Sequence, residues 1–210
     1  MIFRKVKITG QKDLKVHIPE SWDDVTFKQL SLISDEEDGL KRVSILTNIP
    51  VETFNKYPEL ADFYVWLEDK LSWVNTFEPK DKDVEVFILD NDVFHFPKDI
   101  GILSIGLYQD IRNEAVENKD KIFTIYPLIC ASYYQLLRDG EYDYTKASEL
   151  VELFENQPCI KVYNAAGFFL NKLNVLRSGT KVGVKSKVIQ MTKSLLGLIG
   201  FQKSSALKLL

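Results

Sequence analysis

Two histidines, two cysteines and several runs of carboxylates are the side chains in this sequence whose types could support chemistry. His17 and His95 each sit in a stretch of alternating apolar and polar residues, Leu14-Lys15-Val16-His17-Ile18 and Val93-Phe94-His95-Phe96. That alternation places both on the outward side of a β-strand. Neither has the further ligands at close spacing that a metal centre needs. Cys130 and Cys159 are 29 positions apart in apolar helical contexts, so they read as buried thiols in a reducing compartment rather than a disulfide or metal pair. Asp23-Asp24 and Asp35-Glu36-Glu37-Asp38 fall in polar loops or at helix starts, where carboxylates complement the helix dipole and stay solvated. Asp90-Asn91-Asp92 opens like a calcium loop but lacks the glycine and closing glutamate, and reads as a turn. There is no Gly-rich phosphate loop, nucleophile elbow or His-Glu-x-x-His motif. The chain therefore reads as a non-enzyme, with no catalytic residue, metal or cofactor assigned.

The elements that position these side chains follow a repeated plan. Residues 15–33 and 93–111 align at an offset of 78, which superposes His17 on His95, Pro19 on Pro97, Thr26 on Ser104 and Ile33 on Ile111. Each copy reads as a strand, a proline stop, a loop and a hydroxyl N-cap opening a helix. At the same offset Val6-Lys7-Ile8 faces Val84-Glu85-Val86, so an upstream strand is expected in each copy. The first hairpin is expected over 2–8 and 14–18, with Ile8, Leu14, Val16 and Ile18 inward.

Periodicity predicts the helices. Thr26 opens a short one with Phe27, Leu30 and Ile33 on one face. A second is expected over about 37–47, weakened by Gly39 and broken by Ile49-Pro50. A stronger one over about 59–74 carries Leu60, Phe63, Leu67, Leu71 and Val74. The aromatics of this stretch, among them Trp66 and Trp73, read as core rather than a stacking platform, because Glu59, Asp62, Glu68 and Asp69 lie between them. The second copy's helix runs from Ser104 to about 115. Residues 120–138 carry another stripe, with a kink or break expected near Tyr126 from Pro127. Thr145, Ser148 and Glu149 suggest the start of a helix ending before Gln157-Pro158. The last core helix is expected over 159–177, with Leu173 and Leu176 in its stripe and Ala165-Ala166-Gly167 allowing a close helix approach. The fold class is α+β, mainly α-helical. The divisions are a first hairpin-helix unit (1–77), a second (78–118), a helical bundle packed on both (119–177) and a basic amphipathic C-terminal arm (178–210).

Charge is unevenly distributed. The 210 residues carry a formal net charge of −3, yet residues 156–210 hold nine Lys or Arg and no Asp or Glu, leaving −12 on residues 1–155. A basic end on an acidic body points to an acidic contact surface. Within the arm, residues 187–199 form an amphipathic pattern about 20 Å long if helical. The assigned partner-binding residues are Lys181, Lys185, Lys187, Val188, Met191, Leu195, Leu198 and Ile199. No apolar run reaches the ~20 residues of a membrane helix, and Met-Ile-Phe-Arg-Lys-Val-Lys-Ile does not read as a signal peptide.

The opening Val16-His17-Ile18-Pro19-Glu20-Ser21-Trp22-Asp23-Asp24-Val25-Thr26-Phe27-Lys28-Gln29-Leu30 resembles the start of small morphogenesis proteins of tailed bacteriophages, particularly those of Bacteroidetes. The segments Tyr126-Pro127-Leu128-Ile129, Gly140-Glu141-Tyr142-Asp143 and Ala165-Ala166-Gly167-Phe168-Phe169-Leu170 are similar to the same group. The resemblance implies a tail-assembly-chaperone-like factor or a neck or tail component of the virion. It implies protein–protein contacts with other phage structural or assembly proteins, or a homo-oligomer, in the host cytoplasm during assembly or in the virion. The alternative reading is a nucleic-acid-associated protein using the basic tail.

Overall fold

The computed structural model describes residues 1–8, 12–77, 86–89, 92–96, 105–118 and 122–179. These form an α+β, mainly helical chain with two small antiparallel sheets of two strands each. The chain divides into two compact units, one made of residues 1–78 with 158–160, the other of 79–157 with the residues from 161 onward. The second hairpin and the helices after it thus share one unit. A lone two-stranded hairpin is marginal in water and needs a helix to cover its apolar face.

In the first unit, β1 (Ile2–Val6) pairs antiparallel with β2 (Leu14–Ile18), Phe3 opposite His17 and Lys5 opposite Lys15. Val16, Ile18 and Ile8 are buried, as the alternation requires. α1 (Phe27–Ser34) opens on a complete capping box: the Gln29 N–H donates to Thr26 Oγ1 at 3.2 Å, and the Thr26 N–H donates to Gln29 Oε1 at 3.0 Å. Two of the donors that every helix start leaves unpaired are thereby satisfied. Phe27, Leu30 and Ile33 are buried.

α2 (Gly39–Thr47) starts later than its sequence pattern suggests, with Asp38 accepting from the Lys41 N–H at 3.1 Å as its cap. Gly39 is therefore the first helical residue and does not weaken an interior. A Cβ there would meet Glu68 Oε1 at 3.1 Å and Tyr64 Oη at 3.2 Å. The helix stops at Asn48, which adopts the left-handed conformation (φ 55°), one residue before the expected Ile49-Pro50 break. α3 (Val51–Lys56) follows. The long helix expected over 59–74 is a shorter α4 (Ala61–Lys70) between 3₁₀ turns at Pro58–Leu60 and Ser72–Asn75. Tight 3₁₀ turns are a common way to finish helix ends, and the apolar stripe survives: Leu60, Phe63, Leu67, Leu71 and Val74 are all buried.

In the second unit, β3 (Val86–Leu89) pairs antiparallel with β4 (Asp92–His95), and α5 spans Ile105–Glu117. The repeat holds where it was strongest. β2 and β4 begin 78 positions apart, at Leu14 and Asp92, and so do α1 and α5, at Phe27 and Ile105. Tyr108 and Ile111 are buried, as are Leu30 and Ile33 at the equivalent positions. The upstream strands do not keep that offset. His17 faces Phe3 and His95 faces Val86, residues 83 apart, so the second turn is five residues shorter. The shorter turn shifts the first strand, so Val86 is the counterpart of Phe3 and not of Ile8, while Val84 and Glu85 lie outside the described residues.

α6 (Ile125–Asp139) follows a 3₁₀ turn at Ile122–Thr124. Pro127 lies in the first turn of α6, where its missing N–H would have no intrahelical partner, so of the kink or break expected near Tyr126 it is the break that occurs, as the change from the 3₁₀ turn to α6 at Thr124–Ile125. Gly140 closes α6 in the left-handed conformation (φ 79°) with its N–H on the Leu136 carbonyl at 2.8 Å. The next helix is two, α7 (Tyr144–Glu149) and α8 (Val151–Glu155). Its cap is Asp143 rather than Thr145, because the carboxylate accepts from the Thr145 and Lys146 N–H groups. α9 runs Cys159–Gly179. Ala165 and Ala166 are buried. Among the described residues nothing lies within 4 Å of a Cβ built on Gly167, so no close approach requires a glycine there. The core of this unit is aromatic: Phe87 meets Phe154 edge-on at 5.3 Å, and Tyr133 meets Phe169 at 5.2 Å.

Candidate functional site

The segment 19–29 is joined to distant parts of the first unit by ring contacts and by hydrogen bonds of both side chains and main chain. The Trp22 ring packs edge-on against Trp73 at 5.1 Å and Phe77 at 4.8 Å, and its indole N–H donates to the Thr76 carbonyl at 3.2 Å. The Trp22 carbonyl accepts from the Cys159 thiol at 3.1 Å, and the Val25 carbonyl accepts from the Cys159 N–H at 2.7 Å. Thr26 also forms an isolated antiparallel bridge to Pro158. Residues 158–160 thus lie against the loop before α1. Burial pushes the Cys159 thiol up to about 12, so it remains a protonated donor at physiological pH and is poorly suited to nucleophilic chemistry. Sequence spacing could not pair Cys159 with Trp22 because the bond uses a main-chain oxygen, which any residue would present.

Gln29 extends this junction. Beyond its part in the capping box, its amide donates to the Ile45 carbonyl at 2.9 Å, near the C-terminal end of α2 where carbonyls lack helical partners. Beside it lies an open cleft of about 350 Å³ lined by Met1, Lys15, His17, Asp24, Gln29 and Asn48, among others. His17 and a carboxylate therefore share one cleft. The Asp24 carboxylate, however, is held by the Met1 amine at 2.8 Å and by the Glu20 N–H at 3.0 Å. Burial alone would raise the Asp24 carboxyl, but these bonds keep it below its ordinary value. The arrangement stabilises the carboxylate as an ion and does not poise it as a general acid.

In the second unit the Gly140-Glu141-Tyr142-Asp143 segment is bound through the buried side chain of Gln135. Its amide donates to the Glu141 carbonyl at 2.9 Å and to Asp139 Oδ2 at 3.1 Å, and its oxygen accepts from the Asp143 N–H at 3.0 Å. Tyr142 donates to Asp110 Oδ2 at 3.1 Å, and Tyr144 donates to Glu114 Oε1. Burial, reinforced by Asp110, raises the Tyr142 phenol. The Glu114 bond, with burial, pushes Tyr144 up to about 12. Arg138 and Gln135 hold Asp139 well below the usual carboxylate range. These groups tie the turn between α6 and α7 to α5.

His95 is exposed on β4 opposite Val86, whose carbonyl accepts from Lys161 Nζ at 2.9 Å. His17 and His95 lie in different units. Among the described residues no three His, Cys, Asp or Glu side chains gather to hold a metal ion, and no helix is long and apolar enough to cross a membrane. Lys181, Lys185, Lys187, Val188, Met191, Leu195, Leu198 and Ile199 lie outside the described residues, as do Pro97, Ser104 and the side chains of Leu173 and Leu176.

No family model matches the chain, and no solved structure matches it. A 69-residue stretch, 31% of the chain, is 35% identical to part of a ribosome biogenesis protein, ERB1, of Pyricularia oryzae. The match spans 9% of that protein, too small a part of either chain to assign a family.

Proposed function

We propose that this protein is a non-enzymatic bacteriophage assembly or virion protein, a neck or tail component or a tail-assembly factor, that acts through protein–protein contacts. The supporting observation is where the residues of the resemblance are spent. Trp22, Val25 and Thr26 hold the first unit together, and Gly140, Tyr142 and Asp143 fix the turn between α6 and α7. The motif supports a scaffold, which fits a family of binding proteins. The contact-bearing part is then the basic, amphipathic segment from 178 onward, whose lysines complement an acidic neighbour.

Deleting residues 178–210 tests this reading. The remaining chain keeps its helical circular dichroism and loses association with itself or with its assembly partner. Unchanged association would overturn it. The alternative, a nucleic-acid-associated protein using the same tail, rests on the nine basic and no acidic residues after Glu155. It predicts binding by the tail that weakens linearly on a log–log plot against salt.

A further inference from the structure

We propose that the outer face of the first hairpin is a binding surface for single-stranded nucleic acid, separate from the C-terminal tail and independent of the assembly role. In β1 and β2 alternate residues share a face, and the face away from Val16 and Ile18 presents two cross-strand pairs, Phe3 with His17 and Lys5 with Lys15. All four side chains are exposed, and Phe3 is 71% exposed. The Phe3 and His17 rings meet edge-on at 4.3 Å. Among the described residues neither lysine is in an ion pair.

Two features of this face work against the isolated fold. Like charges directly opposite on paired strands are destabilising, and an exposed aromatic forgoes burial. Lysine alone would suit a strand guarding its edge against aggregation, but a largely exposed phenylalanine in the same face defeats that purpose. The inner face of β1 uses its cation differently: the Arg4 guanidinium lies 4.0 Å from the centre of the Trp66 ring. The nearby carboxylates Glu20 and Asp24 are both paired with the Met1 amine at 2.8 Å.

An anionic, π-bearing chain satisfies both features. A base stacks on the Phe3–His17 pair while its phosphates meet Lys5 and Lys15, about 7 Å further along the strands. Aromatic platforms beside lysines are the general means of holding single strands without sequence preference. An acidic peptide would neutralise the lysines but leave Phe3 without a role, so charge and aromatic surface together favour the nucleic acid.

The test is fluorescence anisotropy of a short labelled oligothymidylate against the full-length protein across a salt series. Lys5→Gln with Lys15→Gln should lower the slope of log affinity against log salt by about 1.4. Phe3→Ser should weaken binding about tenfold, and Phe3→Tyr should restore it. These side chains are exposed, so the variants should keep the wild-type circular dichroism. The proposal is overturned if the oligonucleotide does not bind. It is also overturned if the hairpin variants bind like wild type while Lys181→Gln, Lys185→Gln and Lys187→Gln together abolish binding. Equal competition by poly-aspartate would overturn it in favour of an acidic protein partner.

Discussion

The Cys159 thiol donates a hydrogen bond to the Trp22 carbonyl at 3.1 Å, joining residues 137 positions apart. With the Cys159 N–H on Val25 and the Trp22 ring between Trp73 and Phe77, this bond makes the loop before α1 the meeting point of three distant segments of the first unit.

Replacing Trp22 with alanine removes two edge-on ring contacts and the bond to Thr76. The expected cost is about 3 kcal/mol. Urea denaturation followed by circular dichroism measures it, and Trp22→Phe should recover part of the loss. A change below about 0.5 kcal/mol would mean that the loop tolerates surface-like substitution.

Both thiols should be silent in the folded protein. Cys130 and Cys159 are buried, and burial pushes Cys159 up to about 12. Ellman's reagent at mildly alkaline pH should therefore label neither quickly, and both once the chain is unfolded. Rapid labelling of Cys159 in the native state would show that the junction opens readily.

The capping box and the Gln29 bond to Ile45 share one side chain. Thr26→Ala should cost about 1 kcal/mol. Gln29→Ala should cost more, since it also frees the Ile45 carbonyl. The double variant should cost less than the sum, because both changes break the same reciprocal pair. Strict additivity would contradict the box.

Alkali should destabilise the second unit through Tyr144. Its phenol is held up to about 12 by Glu114 and burial, against an ordinary value of 10.0. A raised folded value leaves the contribution intact below pH 10 and removes it as pH rises from about 10 to 12, where the unfolded phenol ionises and the folded one resists. Absorbance at the tyrosinate band should show delayed ionisation that Glu114→Gln brings forward. Unchanged titration in that variant would remove the Glu114 bond from the account.

The helices were legible where burial is periodic. Leu60, Phe63, Leu67, Leu71 and Val74 are all buried, and the starts of α1 and α5 keep the offset of 78. What periodicity could not resolve was main-chain geometry. The 3₁₀ turns around α4, the placement of Pro127 in a first turn and the cap at Asp143 depend on local hydrogen bonds, and the apolar pattern is the same with or without them. The strand offset of 83 was hidden because a turn can lose five residues without changing the alternation on either side. The junction at Cys159 was illegible for a different reason: its acceptors are carbonyls, which leave no mark in the sequence. Alternation in β2 was enough to turn Lys15 and His17 outward, and only the register placed Phe3 and Lys5 opposite them.

The native mass of the full-length protein, measured by light scattering beside a variant carrying Leu195→Asp and Leu198→Asp, tests the assembly role most directly. Both changes place charge at apolar positions of the 187–199 sequence pattern. The account predicts an assembly of several copies for the wild type and a smaller species for the variant, with the same circular dichroism. An identical mass for the two proteins would contradict self-association through this segment.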